Sequence, residues 1–511
     1  MELKIKKELL HISELMFENT AEQSIDGDIT LPDYCPDIKR ILKCIVTPCV
    51  ISEQCVGDRV TIDANVTVQV IYVGDNNNIF CYDKTFPFSK TVETNKQINN
   101  PVAEIKLKTA YANTRAVSQR RIDIHASVAI SVNIISKKEV EVVSDASECG
   151  IQLLKDFNMS SDYVGKIVKN FTLNEIMELG KSKEPIRQII RNSVTPSIDE
   201  IKVINNKLLL KGEVKVFILY CTDNDDSSYE TFENSLPVNQ IVEFDGIDEN
   251  SQYEAKNFVS AFSVLPKSNT AGEKTLFDVS VQITSSIKAI KNIEQIFPTD
   301  CYSTEYNVEC EKKQLTFEKI YDTFDDLLMI RKNEEFTNTT ISKIINIWCD
   351  DAVTTYTCLG NELKIIGSCV VSILGIDNDN NPFYAERTVS FEKIKNIPEG
   401  CKDIICTSEA IVNGVGFVLT DNNRIDLRIE IKLNSTVLKR NTAELMTNID
   451  FDKSKIKEKK HSAITIYFSD KNESVWDIAR KYNTTTDAIK AENEITENTI
   501  KENLMLLIPC I

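Results

Sequence analysis

Three stretches of this sequence repeat one another in a fixed register, and that repetition limits the possible fold more than any other feature. Ile38-Lys-Arg-Ile-Leu-Lys-Cys-Ile-Val-Thr-Pro aligns with Ile186-Arg-Gln-Ile-Ile-Arg-Asn-Ser-Val-Thr-Pro and with Ile341-Ser-Lys-Ile-Ile-Asn-Ile-Trp-Cys, at offsets of 148 and then 155 residues. A second segment keeps both offsets. Val60, Ile62, Ala64, Val66, Val68 and Val70 correspond to Leu208, Leu210, Gly212, Val214, Val216 and Ile218, then to Leu363, Ile365, Gly367, Cys369, Val371 and Ile373. Apolar residues at every second position mark a strand with one buried face. A third segment, Ile122-Asp-Ile-His-Ala-Ser-Val, returns as Phe277-Asp-Val-Ser-Val-Gln-Ile and Ile425-Asp-Leu-Arg-Ile-Glu-Ile, at 155 and 148. Loop insertions account for the exchanged offsets.

Smaller features repeat in step. Ala64, Gly212 and Gly367 open a gap in the apolar face, which predicts a bulge or a close crossing. Asn/Asp-rich turns follow each long strand: Gly74-Asp-Asn-Asn-Asn, Thr222-Asp-Asn-Asp-Asp and Asp377-Asn-Asp-Asn-Asn. Such side chains bond their own backbone and tolerate left-handed geometry, so hairpins are expected. The spacing of a calcium-binding EF-hand loop is missing. Asp123, Asp278 and Asp426 recur within alternating segments and read as solvated strand-face or turn-anchoring carboxylates. His125 stands opposite Ser280 and Arg428, so it is not a shared base.

Between the copies, residues 147–157 and 311–331 are rich in helix formers with apolar spacings of three and four, which predicts helical connectors. The fold class is therefore read as mainly β with helical connectors: three tandem antiparallel β-rich modules over 1–145, 146–300 and 301–447. A charged stretch over 448–461, with Lys453, Lys455, Lys457, Lys459 and Lys460, reads as a linker. A separate domain is expected over 462–511.

Composition narrows the function. A chain of 511 residues exceeds what one core usually supports. Its formal net charge of −18 repels phosphate backbones and anionic lipid surfaces, and favours a basic protein partner. The Met1-Glu-Leu-Lys-Ile-Lys start has no apolar h-region, which argues against a signal peptide, and no apolar run is long enough to span a bilayer. The 15 cysteines contain no CxxC pair, and there are three histidines, His11, His125 and His461. Reduced, packed thiols are the expected state, with no metal site and no cofactor. No carboxylate, Cys/His or metal constellation has catalytic spacing, and no GxxxxGK[ST] loop is present. The chain reads as non-catalytic.

The last fifty residues have their own pattern. Ile464-Thr-Ile-Tyr-Phe alternates as a strand. Ser474 is placed to cap a helix with Val475, Ile478, Ala479 and Tyr482 on one face, and Asp477 follows three residues after the cap. Thr484-Thr-Thr-Asp-Ala-Ile-Lys-Ala-Glu-Asn begins a second helix, and Leu506-Leu-Ile-Pro is a closing strand. Trp476-Asp-Ile-Ala, Lys481-Tyr, Ala491-Glu-Asn493 and Ile508-Pro509 resemble the LysM family, a βααβ domain. That resemblance implies a groove for a glycan or a partner, lined by Asn472, Glu473, Ser474 and Val475 on one side and by Asn493, Glu494 and Ile495 on the other. The family's usual Gly-Asp-Thr is Asn472-Glu473-Ser474 here, and its late Gly is Asn503. These departures move the expected ligand from sugar toward protein, and Trp476 is expected in the core.

Pro32-Asp-Tyr-Cys-Pro-Asp-Ile, followed by Ile41-Leu42, resembles the opening of the SPOCS module of Firmicute spore-coat proteins. Copies two and three keep the apolar skeleton without the Pro-Asp pair. Three such modules before one LysM domain resemble a family of clostridial spore-coat morphogenetic proteins. The resemblance implies a chain of the mother-cell cytosol, at the forespore surface and in the spore coat. There it would bind the coat-basement ATPase, stage IV sporulation protein A, and promote coat encasement. The alternative class is a peptidoglycan-binding protein of the wall or cortex, which requires export.

Overall fold

The period-two runs fold as strands, and the strands extend well past the repeated segments. The first module is built from β1 (Lys4–Thr30), β2 (Ile38–Val56), β3 (Arg59–Gly74), β4 (Ile79–Glu93), β5 (Pro101–Ser118) and β6 (Arg121–Ser147). The second uses β7 (Ile151–Glu178), β8 (Ile186–Ile204), β9 (Lys207–Thr222), β10 (Tyr229–Glu243), β11 (Ser251–Ser268) and β12 (Lys274–Ser303). The third uses β13 (Tyr306–Glu335), β14 (Ile341–Leu359), β15 (Glu362–Asp377), β16 (Pro382–Asn396), β17 (Ile404–Asp421) and β18 (Arg424–Ile456). These elements come from a computed structural model that describes residues 3–224, 228–337, 339–457 and 464–509.

Each module makes the same two three-stranded antiparallel sheets. One is a meander, β2-β3-β4, β8-β9-β10 or β14-β15-β16. The other sets the last strand between the first and the fifth, as β1-β6-β5, β7-β12-β11 or β13-β18-β17. Inward residues of both sheets meet in one core per module; in the first, Val60, Ile62, Val66, Val68 and Val70 of β3 face Ile122, Ile124, Val128, Ile130 and Val132 of β6.

The gap in the apolar face has a direct cause. A Cβ on Gly212 would sit 2.2 Å from the Ser197 carbonyl oxygen, and one on Gly367 would sit 2.2 Å from the Phe391 ring. The expected bulge falls on the neighbouring strand: the ladder shifts at Val50/Ser52, Ile198/Glu200 and Asp350/Val353, beside Ala64, Gly212 and Gly367. The Asn/Asp-rich turns close hairpins, with Asn77 and Asn380 at positive φ. In the second copy, Asp225 and Asp226 lie outside the described residues.

The expected helical connectors are strands. Residues 151–157 open β7, and 311–331 lie inside β13. In β13 the ladder slips between Ile320 and Asp322, so buried or packed Phe317, Ile320, Phe324 and Leu328 fall three and four residues apart although the segment is extended. Pairing along nearly all of β18 overrides the helix propensity of its Glu, Lys and Leu residues. The modules therefore join through turns at 148–150 and 304–305, with Glu148, Cys149 and Gly150 all at positive φ. The charged stretch is also corrected: 448–456 finishes β18, whereas Lys459 and Lys460 lie outside the described residues.

The repeat register reappears in space as a shared core between modules. Leu42, Ile190 and Ile345 occupy one repeat position, Ile71, Leu219 and Leu374 a second, and Cys81, Tyr229 and Tyr384 a third; all nine meet in a single cluster. Each position is drawn once from each module, the arrangement of a pseudo-threefold centre. Arg40 donates to the Pro382 carbonyl and Gln188, at the same repeat position, to the Cys81 carbonyl, each at 2.5 Å. Module one thus meets module three as module two meets module one, a heterologous contact of the kind that closes rings. The guanidinium of Arg191, 4.6 Å from the Trp348 ring, joins modules two and three.

Beyond the module cores, the paired outer strands continue as three ribbons. Leu10, Ile12, Val140 and Val142 pack with Met159 and Phe297 and with Leu315, Phe317 and Leu445, one contribution from each module, to form a stem. Buried charges cross the same boundaries. Lys166 Nζ lies 2.7 Å from Glu104, and Thr407 donates to Glu254 at 2.6 Å. Burial alone would raise the Glu104 carboxyl, but Lys256 and Lys166 overcome it and hold it at about 2.

Candidate functional site in the LysM-like domain

The C-terminal domain has the expected order: β19 (Ile464–Ser469), α1 (Val475–Tyr482), α2 (Thr486–Asn493) and β20 (Leu504–Pro509). Its helices are short, so their ends matter. The Ser474 hydroxyl accepts from the Trp476 N–H at 3.2 Å, and Thr485 caps α2 through the Ala488 N–H at 3.1 Å. Both helices finish in left-handed residues, Asn483 and Glu494. The faces they turn inward supply Val475, Ile478, Ala479 and Ile489, which meet Leu506 and Ile508 of β20.

The two predicted loops are largely committed to the fold. Asn472 is exposed, and its N–H donates to the Ile500 carbonyl at 2.7 Å. Glu473 accepts the Tyr467 hydroxyl at 2.6 Å and the Asp470 N–H at 3.1 Å. The Tyr467 bond to Glu473 pushes that hydroxyl up to about 12. Ser474 bridges to Thr499, and Val475 is 1% exposed in the core. On the other loop, Asn493 donates to the Ile489 and Leu507 carbonyls and accepts from the Leu507 N–H, which ties α2 to β20. Ile495 packs at the edge of the core that contains Val475, and Glu494 points to solvent. The loops therefore offer few unengaged polar groups beyond Asn472 and Glu494.

The outer face of the two-stranded sheet is different. Ile464, Ile466 and Phe468 alternate outward from β19 and pair with Pro509, Leu507 and Met505 of β20. Phe468 is 75% exposed, and Ile464, Ile466 and Met505 are exposed beside it. A row of large apolar side chains on a charged protein is a candidate interaction surface. The signal was present in Ile464-Thr-Ile-Tyr-Phe: a short strand with bulky residues on both faces cannot bury both in a fifty-residue domain.

The opposite side of the domain is seated on the stem. Trp476, 8% exposed, meets the Tyr302 ring edge-on with centroids 4.7 Å apart. Its indole N–H donates to Asp300 at 3.1 Å, and Arg480 reaches the same carboxylate oxygen at 2.7 Å. Tyr302 donates to the Thr484 carbonyl at 2.7 Å, and Lys457 bonds both the Ser303 carbonyl and Asn483. Trp476 is thus core, as expected, but its core includes the end of β12. Asp300, Tyr302 and Arg480 were missed because no local pattern links positions so far apart in the chain.

Elsewhere the polar residues singled out are paired within the fold. Asp278 pairs with Lys267, Asp426 accepts from Asn333, and exposed His125 bonds Asp26. The Pro32–Ile38 loop is organised by Arg120, whose guanidinium donates to the carbonyls of Leu31, Pro32 and Cys35 and to Asp37. Among the described residues no group of three metal-ligating side chains comes together, and no helix is long and apolar enough to cross a membrane.

Two known family models match parts of the chain. A model described as "SipL, SPOCS domain" matches residues 37–114 and 185–265, and the LysM domain model matches 470–509. The two SPOCS segments cover the meander and the following strand of modules one and two; module three has the same strand order outside the matched segments. No curated protein and no solved structure matches the chain.

Proposed function

We propose, from a SipL-like chain that carries two SPOCS domains and a C-terminal LysM domain, that this protein is a non-catalytic spore-coat scaffold acting through protein contacts. Its partner in this reading is the coat-basement ATPase, stage IV sporulation protein A. Its place is the mother-cell face of the forespore and then the coat. SPOCS and LysM are binding domains, which supports a role without chemistry of its own. The family match supports a sporulation-related role.

The observation that carries the protein-contact reading is the exposed apolar row Ile464, Ile466, Phe468 and Met505. A small-molecule groove needs a few polar groups free to fix the orientation of its ligand. Here Glu473 and Asn493 are bonded internally and Trp476 is covered by Tyr302. Asn472 and Glu494, at the rims of the two loops, remain available to extend the contact. The closed ring of modules then serves as a rigid base that presents this face, and further weak sites on the modules would raise its effective concentration at an assembling surface.

Removing residues 464–511 is expected to abolish co-purification with the ATPase while the modules remain folded; undiminished capture by the truncated chain would sink the reading. A pull-down on purified peptidoglycan separates the alternative. Saturable binding that is lost on changing Asn472 and Glu494 would support a wall- or cortex-binding protein instead.

A further inference from the structure

We propose that Cys349 and Cys369 form an oxidisable dithiol, a modification site at which a peroxide joins β14 to β15 by a disulfide. The two Sγ atoms lie 3.2 Å apart. Cys369 is buried in the face of β15 that carries Leu363, Ile365, Val371 and Ile373, and Cys349 is half-buried against the same core.

The repeat supplies an internal comparison. At the offsets that align the first two repeated segments, Cys349 corresponds to Val194 and Val46, and Cys369 to Val214 and Val66. Those valines lie in, or pack against, the cores of their own modules. A valine pair therefore satisfies this site twice in the same chain. In the third module both members are cysteine, and they touch. What two thiols add over two isopropyl groups of similar burial is reactivity.

The ladder leaves room for the bond. Cys349 is in register with Val371 and Asp350 with Val370, and then the ladder shifts to Val353 opposite Ser368. Cys369 thus faces the bulge, where β14 has slack in its pairing. A disulfide sets its sulfurs about 2.0 Å apart, so the pair must close by roughly 1.2 Å, within reach of side-chain torsions and a small adjustment of the bulge.

The chemistry balances with hydrogen peroxide as the two-electron oxidant. The half-buried Cys349 is the thiol a small peroxide reaches first. Its sulfur takes one oxygen atom, forming a sulfenic acid, and the remaining peroxide oxygen leaves as water. Cys369 Sγ then attacks the Cys349 sulfur. The S–S bond forms, the S–O bond breaks, and the hydroxyl leaves as a second water with the Cys369 proton. In the reduced pair, the hydrogen bond from the Cys349 thiol holds Cys369 below the usual thiol range.

The test uses the full-length protein, treated with hydrogen peroxide, alkylated, digested and mapped by mass spectrometry. The expected product is a peptide pair joining Cys349 to Cys369, lighter by two hydrogens and released by a thiol reductant. The Cys349→Val, Cys369→Val double variant restores the valines of the other copies. It is expected to keep the untreated thermal midpoint and to lose any rise in that midpoint on oxidation. Sulfinic acid at Cys349 or Cys369 without the linked peptide would overturn the proposal. So would a disulfide confined to Cys358 and Cys401, the neighbouring pair in the same module that also shares a hydrogen bond.

Discussion

Asp300 ties two LysM-domain side chains, Trp476 and Arg480, to the stem through one carboxylate oxygen. Burial works to raise its pKa, but the Trp476 indole N–H, Arg480 and Lys312 outweigh it, so the carboxyl lies below its ordinary value. The sign follows directly. A carboxylate whose pKa is lowered by docking supports docking fully above its undocked value, and that support is lost as pH falls through the lowered value. Asp300→Ala removes both charge-assisted bonds at neutral pH, at a cost of roughly 1.5–3 kcal/mol to the docked state. Trp476 fluorescence is expected to shift to the red in the variant at neutral pH, and in the parent only in strong acid. An unshifted spectrum in the variant would show that the Tyr302 and Lys457 contacts hold the domain without Asp300. Gly367 makes a second residue-scale point. A Cβ there would overlap the Phe391 ring, so Gly367→Ala is expected to destabilise by about 1–3 kcal/mol in denaturant melts, with part recovered by Phe391→Leu in the same chain. Gly414→Ala, with open space around the position, is the control.

At the scale of elements, period-two alternation was legible wherever one face was buried and the ladder ran without interruption. The β3, β9 and β15 strands, their hairpins and the gap at Ala64, Gly212 and Gly367 could all be placed from alternation and turn residues. The long outer strands could not. A bulge advances the side-chain phase by one residue, and in β13 the slip between Ile320 and Asp322 turned a strand into an imitation of helical spacing. In the β12–β7 pair, ladder shifts around Pro298 had the same effect opposite residues 153–157. The LysM elements were readable because capping residues and short apolar stripes are local signals. The loops that carry Asn472–Val475 and Asn493–Ile495 flank the helices, and the side chains of Glu473 and Asn493 bond within the domain. The more exposed surface lies on the strand that alternation alone identified.

At the scale of the molecule, three modules with one strand order share a pseudo-threefold core and a common stem, and the LysM domain is fastened to the end of that stem. The offsets 148 and 155 carried this arrangement implicitly, since the same offsets relate the residues that meet at the centre. What one sequence could not supply was that the copies contact each other through equivalent positions, or that the small domain is seated and not tethered. A seated domain turns one face inward and leaves the Ile464–Phe468 row exposed on the other. The most direct test is calorimetric titration of the full-length protein with purified stage IV sporulation protein A. The Ile466→Ser, Phe468→Ser variant changes two exposed residues and leaves the domain core intact. Saturable binding by the parent and at least about tenfold weaker binding by the variant is the predicted result, as expected when apolar anchors worth about 1.4 kcal/mol or more in total are removed. Equal affinity of the two proteins would contradict the account.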